Sequence, residues 1–156
     1  MPNTKAIGVA FADPEFESVS VIGAVSAASV AATGAVSGAS VSGTTVTASG
    51  SLVIKSATVA AAGSTQGNAA AVAAGFTLVT AADGTKGVVL PAASAGLVVI
   101  IKNADAANAI LKVYPASGDA INALAANASY DMAAKTSMLL VAYDATTWYT
   151  VPLLAS

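Results

Sequence analysis

The chain has 156 residues, a formal net charge of −2, 9% charged residues, and neither cysteine nor histidine. Six lysines and no arginine leave no basic patch that neutralises several phosphates at once, which argues against nucleic acid as a partner. The missing Cys and His remove disulfides, thiolate metal sites and every Ser-His or Cys-His nucleophile pair, so the expectation is a protein that is not an enzyme and holds no cofactor.

Hydrophobic residues make up 56% of the chain, much of it alanine. A surface so poor in charge would be badly solvated if it all faced water, which predicts an obligate oligomer. Three stretches of different texture follow one another. Residues 1–23 read as an extended docking arm: Ile7, Val9 and Phe11 alternate, Asp13-Pro14 turns, and Phe16, Val19 and Val21 resume. Alternation gives such an arm one apolar face, and that face needs a partner surface.

Residues 24–62 are rhythmic. From residue 18 to residue 82 the only charge is Lys55, and Val19, Val25, Val30, Val36, Val41, Val46, Leu52 and Val59 recur every five or six positions among Ala, Ser, Thr and Gly. That spacing fits neither a helix nor a plain strand. It suits a chain that turns a corner every half-dozen residues, as in a β-helix or an interwoven trimeric shaft. Eight branched side chains return less free energy than ordering some forty backbone residues costs, so the missing burial has to come from sister copies. Val25, Val30, Val36, Val41, Val46 and Leu52 are the expected trimer contacts.

Residues 63–156 have the texture of a compact β domain, a sandwich or barrel. The stretch 69–74 is either one helical turn or an extended piece, and strands are expected at 76–80, 87–90, 97–102, 110–114, 121–124, 138–143 and 147–153. Asp83-Gly84 is the clearest hairpin turn among them. The fold class is therefore all-β: an N-terminal arm, a β-helix-like or interwoven segment, and a C-terminal β-sandwich or barrel.

Membrane insertion is not expected. Gly34 and Gly38 match a helix-dimer spacing, but the surrounding Ser, Thr and β-branched residues lack a sustained apolar run, and the run from 88 to 101 is short and holds Pro91. Residues 1–19 lack the basic-then-apolar order of a signal peptide, so the protein is expected to be made and used without secretion. Asp13, Glu15 and Glu17 are the only acidic cluster; a carboxylate pair can serve glycoside cleavage or Ca²⁺, but these read as a solvated turn. Trp148 and Tyr149 are candidate glycan contacts, weighed against a role as core or interface anchors. The sequon at Asn127-Ala128-Ser129 carries meaning only in a secreted eukaryotic protein.

Two passages, AIGVAFADPEFESVSVIG at 6–23 and GVVLPAASAGLVVIIKNADAANAILKVYPASGDAINALA at 87–125, together with the late Trp148-Tyr149 pair, resemble structural proteins of tailed-phage virions, above all small capsid decoration or cement proteins and head fibres. The passage VAATGAVSGASVSGTTVTASGSL at 30–52 is similar to threads in trimeric phage fibres. The resemblance implies a homotrimer on the outside of a capsid, bound to the major capsid protein through the arm residues Ile7, Val9, Phe11 and Phe16. It carries over no catalytic or cofactor residue.

Overall fold

A computed structural model describes residues 49–73 and 75–151, together with positions 22, 32, 33, 36, 37 and 47. The chain divides into two units, Met1–Thr47 and Ala48–Ser156. In the first, Ile22 and Val36 are exposed; the description below concerns the second.

The second unit is all-β, arranged as a β-solenoid of about four turns. Its strands are β1 (Ser56–Ala60), β2 (Ala70–Ala71), β3 (Gly75–Thr80), β4 (Gly87–Val89), β5 (Val98–Asn103), β6 (Leu111–Tyr114), β7 (Ala120–Ile121), β8 (Tyr130–Met132), β9 (Ser137–Ala142) and β10 (Thr147–Val151). A single 3₁₀ turn, Gln66–Asn68, is the only helical element among the described residues.

From β1 to β9, successive strands alternate between two sheets. One has six strands in the order β1-β3-β5-β9-β10-β7, the other four in the order β2-β4-β6-β8. Within each sheet the early strands run parallel: Ser56 lies beside Phe76, twenty residues on, and Phe76 beside Ile100, twenty-four on. On the other sheet Ala70 lies beside Val88 and Val88 beside Val113. Each coil therefore places one strand on each sheet before returning, and coils of unequal length stack in register. After the third coil the direction reverses. β8 pairs antiparallel with β6, β9 with β5 and β10 with β9, while the two-residue β7 lies parallel to the outer edge of β10.

Period 2 explains which side chains meet between the sheets. Val79, Val99, Ile101, Leu140 and Trp148 point inward from the larger sheet, and Val88, Leu111, Val113 and Met132 from the smaller, all at 2% exposure or less. Fully burying a branched or aromatic side chain contributes roughly 1.5–3 kcal/mol, so this layer dominates the stability of the unit. Two polar side chains on these strands are also fully buried, Thr77 and Asn103. The Nδ2 of Asn103 donates to the carbonyls of Ala109, Ala133 and Met132 at 3.0, 3.3 and 3.4 Å, and its Oδ1 accepts from the amide of Asp105. One residue thereby ties the end of β5 to the loop before β6 and to the exit of β8.

Corners are built from side chains that cap their own backbone. Asp83 Oδ1 accepts from the amides of Thr85 and Lys86 and from the Thr85 hydroxyl, while Gly84 takes φ +89. Asp83-Gly84 is thus an inter-sheet corner rather than the expected hairpin, since β3 and β4 belong to different sheets. Asx geometry at such a corner is chemically the same as in a hairpin, which is why the residues alone do not separate the two.

Other expectations are also revised. The coils described here occupy the stretch where a sandwich or barrel is expected, and two facing sheets are their cross-section. β1 lies within residues 24–62 and pairs directly with β3. Of the two readings of 69–74 the extended piece is borne out, as β2, while 121–124 is strand only at Ile121 because Asn122 turns left-handed at φ 53.

Candidate functional site

The outward residues of the six-stranded sheet form rows across it. Pairing registers place Phe76, Ile100, Leu139 and Val151 in one row. Val98, Val141 and Tyr149 form the row beside it, and Leu78, Lys102 and Ser137 the row on the other side. Val98, Tyr149 and Val151 are exposed, and the aliphatic side chains of Ile100, Leu139 and Val141 are half-buried. Lys102 supplies the single charge in these rows, and its ammonium turns aside to donate to the Lys135 carbonyl.

At one corner of this face Tyr143 and Tyr149 stand edge-to-face, ring centroids 5.9 Å apart at 76°, with Tyr143 71% exposed. At the opposite side an apolar cleft of about 320 Å³ is lined by Ile54, Lys55, Gly75, Val98 and Ile100. Gly75 is required here: its φ is +104, and a Cβ would stand 2.2 Å from the Lys55 carbonyl oxygen. That carbonyl accepts from the Phe76 amide at 2.9 Å, which locks the chain entering β1 against the start of β3.

The outer face of the four-stranded sheet is of another kind. Lys112 and Asp131 are direct cross-strand partners, the ammonium donating to both carboxylate oxygens at 2.8 and 2.9 Å. The Tyr114 hydroxyl donates to the Ser64 carbonyl. This is a satisfied, solvated surface.

The residues picked out in the sequence fall in several places. Ile7, Val9, Phe11, Phe16, Val25, Val30, Val41 and Val46 lie outside the described residues, as do Asp13, Glu15 and Glu17. Val36 and Leu52 are 73% and 80% exposed, and Val53 and Ile54 follow Leu52 as exposed apolar side chains. Trp148 is 0% exposed, which corrects its reading as a glycan contact and leaves it as a core anchor; its indole Nε1 has no hydrogen-bond partner. Tyr149 does reach the surface, but beside Tyr143 rather than Trp148. Adjacent strand residues face opposite ways. Asn127 belongs to a structural latch, its Oδ1 accepting from Gly118 N and Gln66 Nε2.

No reactive cluster emerges among the described residues. No three acidic side chains converge to hold a metal, and no helix is long and apolar enough to cross a membrane. The buried carboxylates are spent on backbone amides: Asp119 accepts from Ala93 and Asp105 from Ala109. Two further carboxylates are lowered for the same reason, Asp83 well below the usual carboxylate range. Asp83 is held there by the Thr85 hydroxyl and then by the Lys86 and Thr85 amides, and Asp144 is lowered chiefly by the Thr146 amide. Both are turn-building groups.

The outer face of the larger sheet was not singled out from the sequence, although its signal is present. LVVII at 97–101 and MLLVA at 138–142 are apolar at both parities of the strand, which marks strands covered on both faces. No family model matches the chain, and no match is found among curated proteins or solved structures.

Proposed function

We propose that this protein is a structural component of a tailed-phage virion, a homotrimer that binds the outside of the capsid through the major capsid protein and stabilises the shell. The observation that carries this reading is the contrast between a broad, nearly uncharged sheet face and the lack of converging chemistry among the described residues. A molecule so built works by contact. The virion resemblance of residues 6–23, 30–52 and 87–125 supports the same reading, with Ile7, Val9, Phe11 and Phe16 as the capsid contacts and Val25, Val30, Val36, Val41, Val46 and Leu52 as contacts between copies.

The mechanism is mass action. A ligand that binds only the assembled shell stabilises it by RT ln(1 + [L]/Kd), and many equivalent sites act together. The protein would be synthesised in the host cytoplasm and end on the capsid surface. Binding of the purified protein to matched empty shells, with and without deletion of residues 1–21, tests it: the intact protein should attach and raise the shell's melting temperature, and the truncated form should not. Absence of binding by the intact protein overturns the proposal.

A second reading rests on the exposed Tyr143–Tyr149 pair, whose rings present apolar faces of the kind that sugars stack on. In that reading the protein is a short head or tail fibre that binds host surface glycans. A glycan array separates the two, since clear sugar binding lost in Tyr149→Ala favours the fibre.

A further inference from the structure

The two corners of the six-stranded sheet's outer face are complementary to each other. One bears a projecting aromatic pair, Tyr143 and Tyr149. The other bears the apolar cleft lined by Ile54, Lys55, Gly75, Val98 and Ile100. Both touch the same cross-strand row: Tyr149 is level with Val141 and Val98, and Val98 itself lines the cleft. The protrusion and the hollow therefore stand at equal height along the strands and at opposite margins of the sheet.

We propose that a second copy of this chain occupies this face, related by a rotation axis that runs along the strands. Such a rotation keeps height along the strands and exchanges the margins, so the tyrosine pair of one copy meets the cleft of the next. A two-fold axis does this face to face, and a three-fold axis does it around a ring. A foreign partner would need to reproduce both the knob and the hollow; a second copy already has them.

Area and charge agree with this occupant. Five strands at about 4.8 Å and three rows at about 6.7 Å give a footprint on the order of 480 Å², so two copies cover roughly 1,000 Å² before side-chain relief is counted, which reaches the lower bound for a specific interface. Lys102 is turned away to the Lys135 carbonyl, so no like charges are forced together. Lys55, at the rim of the cleft, meets the ring of an incoming tyrosine, a favourable cation–π partner. Facing sheets of β-branched and aliphatic residues interdigitate at about 10 Å, as the two layers of a sandwich do.

This inference concerns the isolated protein and stands or falls apart from capsid binding. The native chain has no cysteine, so Ile54→Cys and Tyr149→Cys can be made as separate full-length variants, mixed and oxidised. Within one copy the two positions are about four strand spacings, ~19 Å, apart, far beyond the ~7 Å limit for a disulfide. The expected result is a crosslinked dimer from the mixture, in clear excess over either variant alone. A monomer by light scattering at micromolar concentration overturns the proposal, and so does crosslinking that is equally efficient in each variant alone. Tyr143→Ser with Tyr149→Ser should weaken self-association roughly ten- to hundredfold while the β-sheet circular dichroism stays unchanged. An undiminished oligomer in that double variant, with its fold intact, also counts as refutation.

Discussion

The two outer faces of the molecule are made by the same coils yet follow opposite rules. The four-stranded sheet turns Lys112, Tyr114 and Asp131 outward, each paired or bonded, whereas the six-stranded sheet turns Phe76, Ile100, Leu139, Val141 and Val151 outward around the lone Lys102. Coiling does not impose this difference. The strands of both sheets bury their inward residues equally well, so the apolar outer face is a separate property written into the other parity of β3, β5, β9 and β10.

The comparison can be broken most severely at the layer both faces share. Trp148→Ala should cost about 3–5 kcal/mol, read by chemical denaturation. Trp148→Phe should cost much less, because the indole N–H has no partner to lose. Neither change should alter glycan or partner binding except through stability. Asn103→Ala should cost about 2–3 kcal/mol, since it strips partners from the carbonyls of Ala109, Met132 and Ala133 and from the Asp105 amide.

Making one face resemble the other is the sharper experiment. Ile100→Glu with Leu139→Lys places opposite charges at directly paired positions, imitating the Lys112–Asp131 pair. Sedimentation should show self-association weakened by about tenfold or more, while denaturation shows the fold retained. The reciprocal change is small: Lys112→Ala should shift stability by no more than about 0.5 kcal/mol, because half-exposed ion pairs contribute little.

Acid should weaken the corners that Asp83 and Asp144 build. Asp83 and Asp144 have folded pKa values depressed by hydrogen bonds to their charged forms. Their contribution is fully present above the unfolded value of about 3.9 and is lost as pH falls through the lower folded values. Thermal melts between pH 5 and pH 2 should show a declining melting temperature, less steep in a variant carrying Asp83→Asn and Asp144→Asn, which no longer titrates at those corners.

Much of the strand content was legible because Val, Ile and Leu runs are bounded by turn residues: β3, β5, β6, β9 and β10 begin or end within about two residues of their expected positions. β1 and β8 were not, and β2 only as one of two alternatives, since SATVA, AA and YDM have too little apolar content to stand out; their place is decided by neighbours 17 to 21 residues away. Sheet membership was hidden for a related reason. Parallel pairing between coils is non-local, and Asp83-Gly84 serves a corner and a hairpin alike. The burial of Trp148 was readable in principle, because two adjacent strand residues cannot share one surface. The outer face was readable from the double-parity runs at 97–101 and 138–142, but the depth of the cleft was not, since it depends on Gly75 meeting Lys55 across two strands.

The reversal after the third coil leaves the larger sheet with unlike margins. At β7 the edge is two residues long, too brief a template for another strand, and the antiparallel turnback behind it forbids a further parallel coil. At β1 the ladder is five residues of Ser, Ala, Thr and Val without charge or proline, and its pairing direction is the one every earlier rung repeats. Among the described residues the architecture is thus polar in the sense that a filament is polar: one margin stops on a two-residue strand, and the other carries a five-residue parallel ladder.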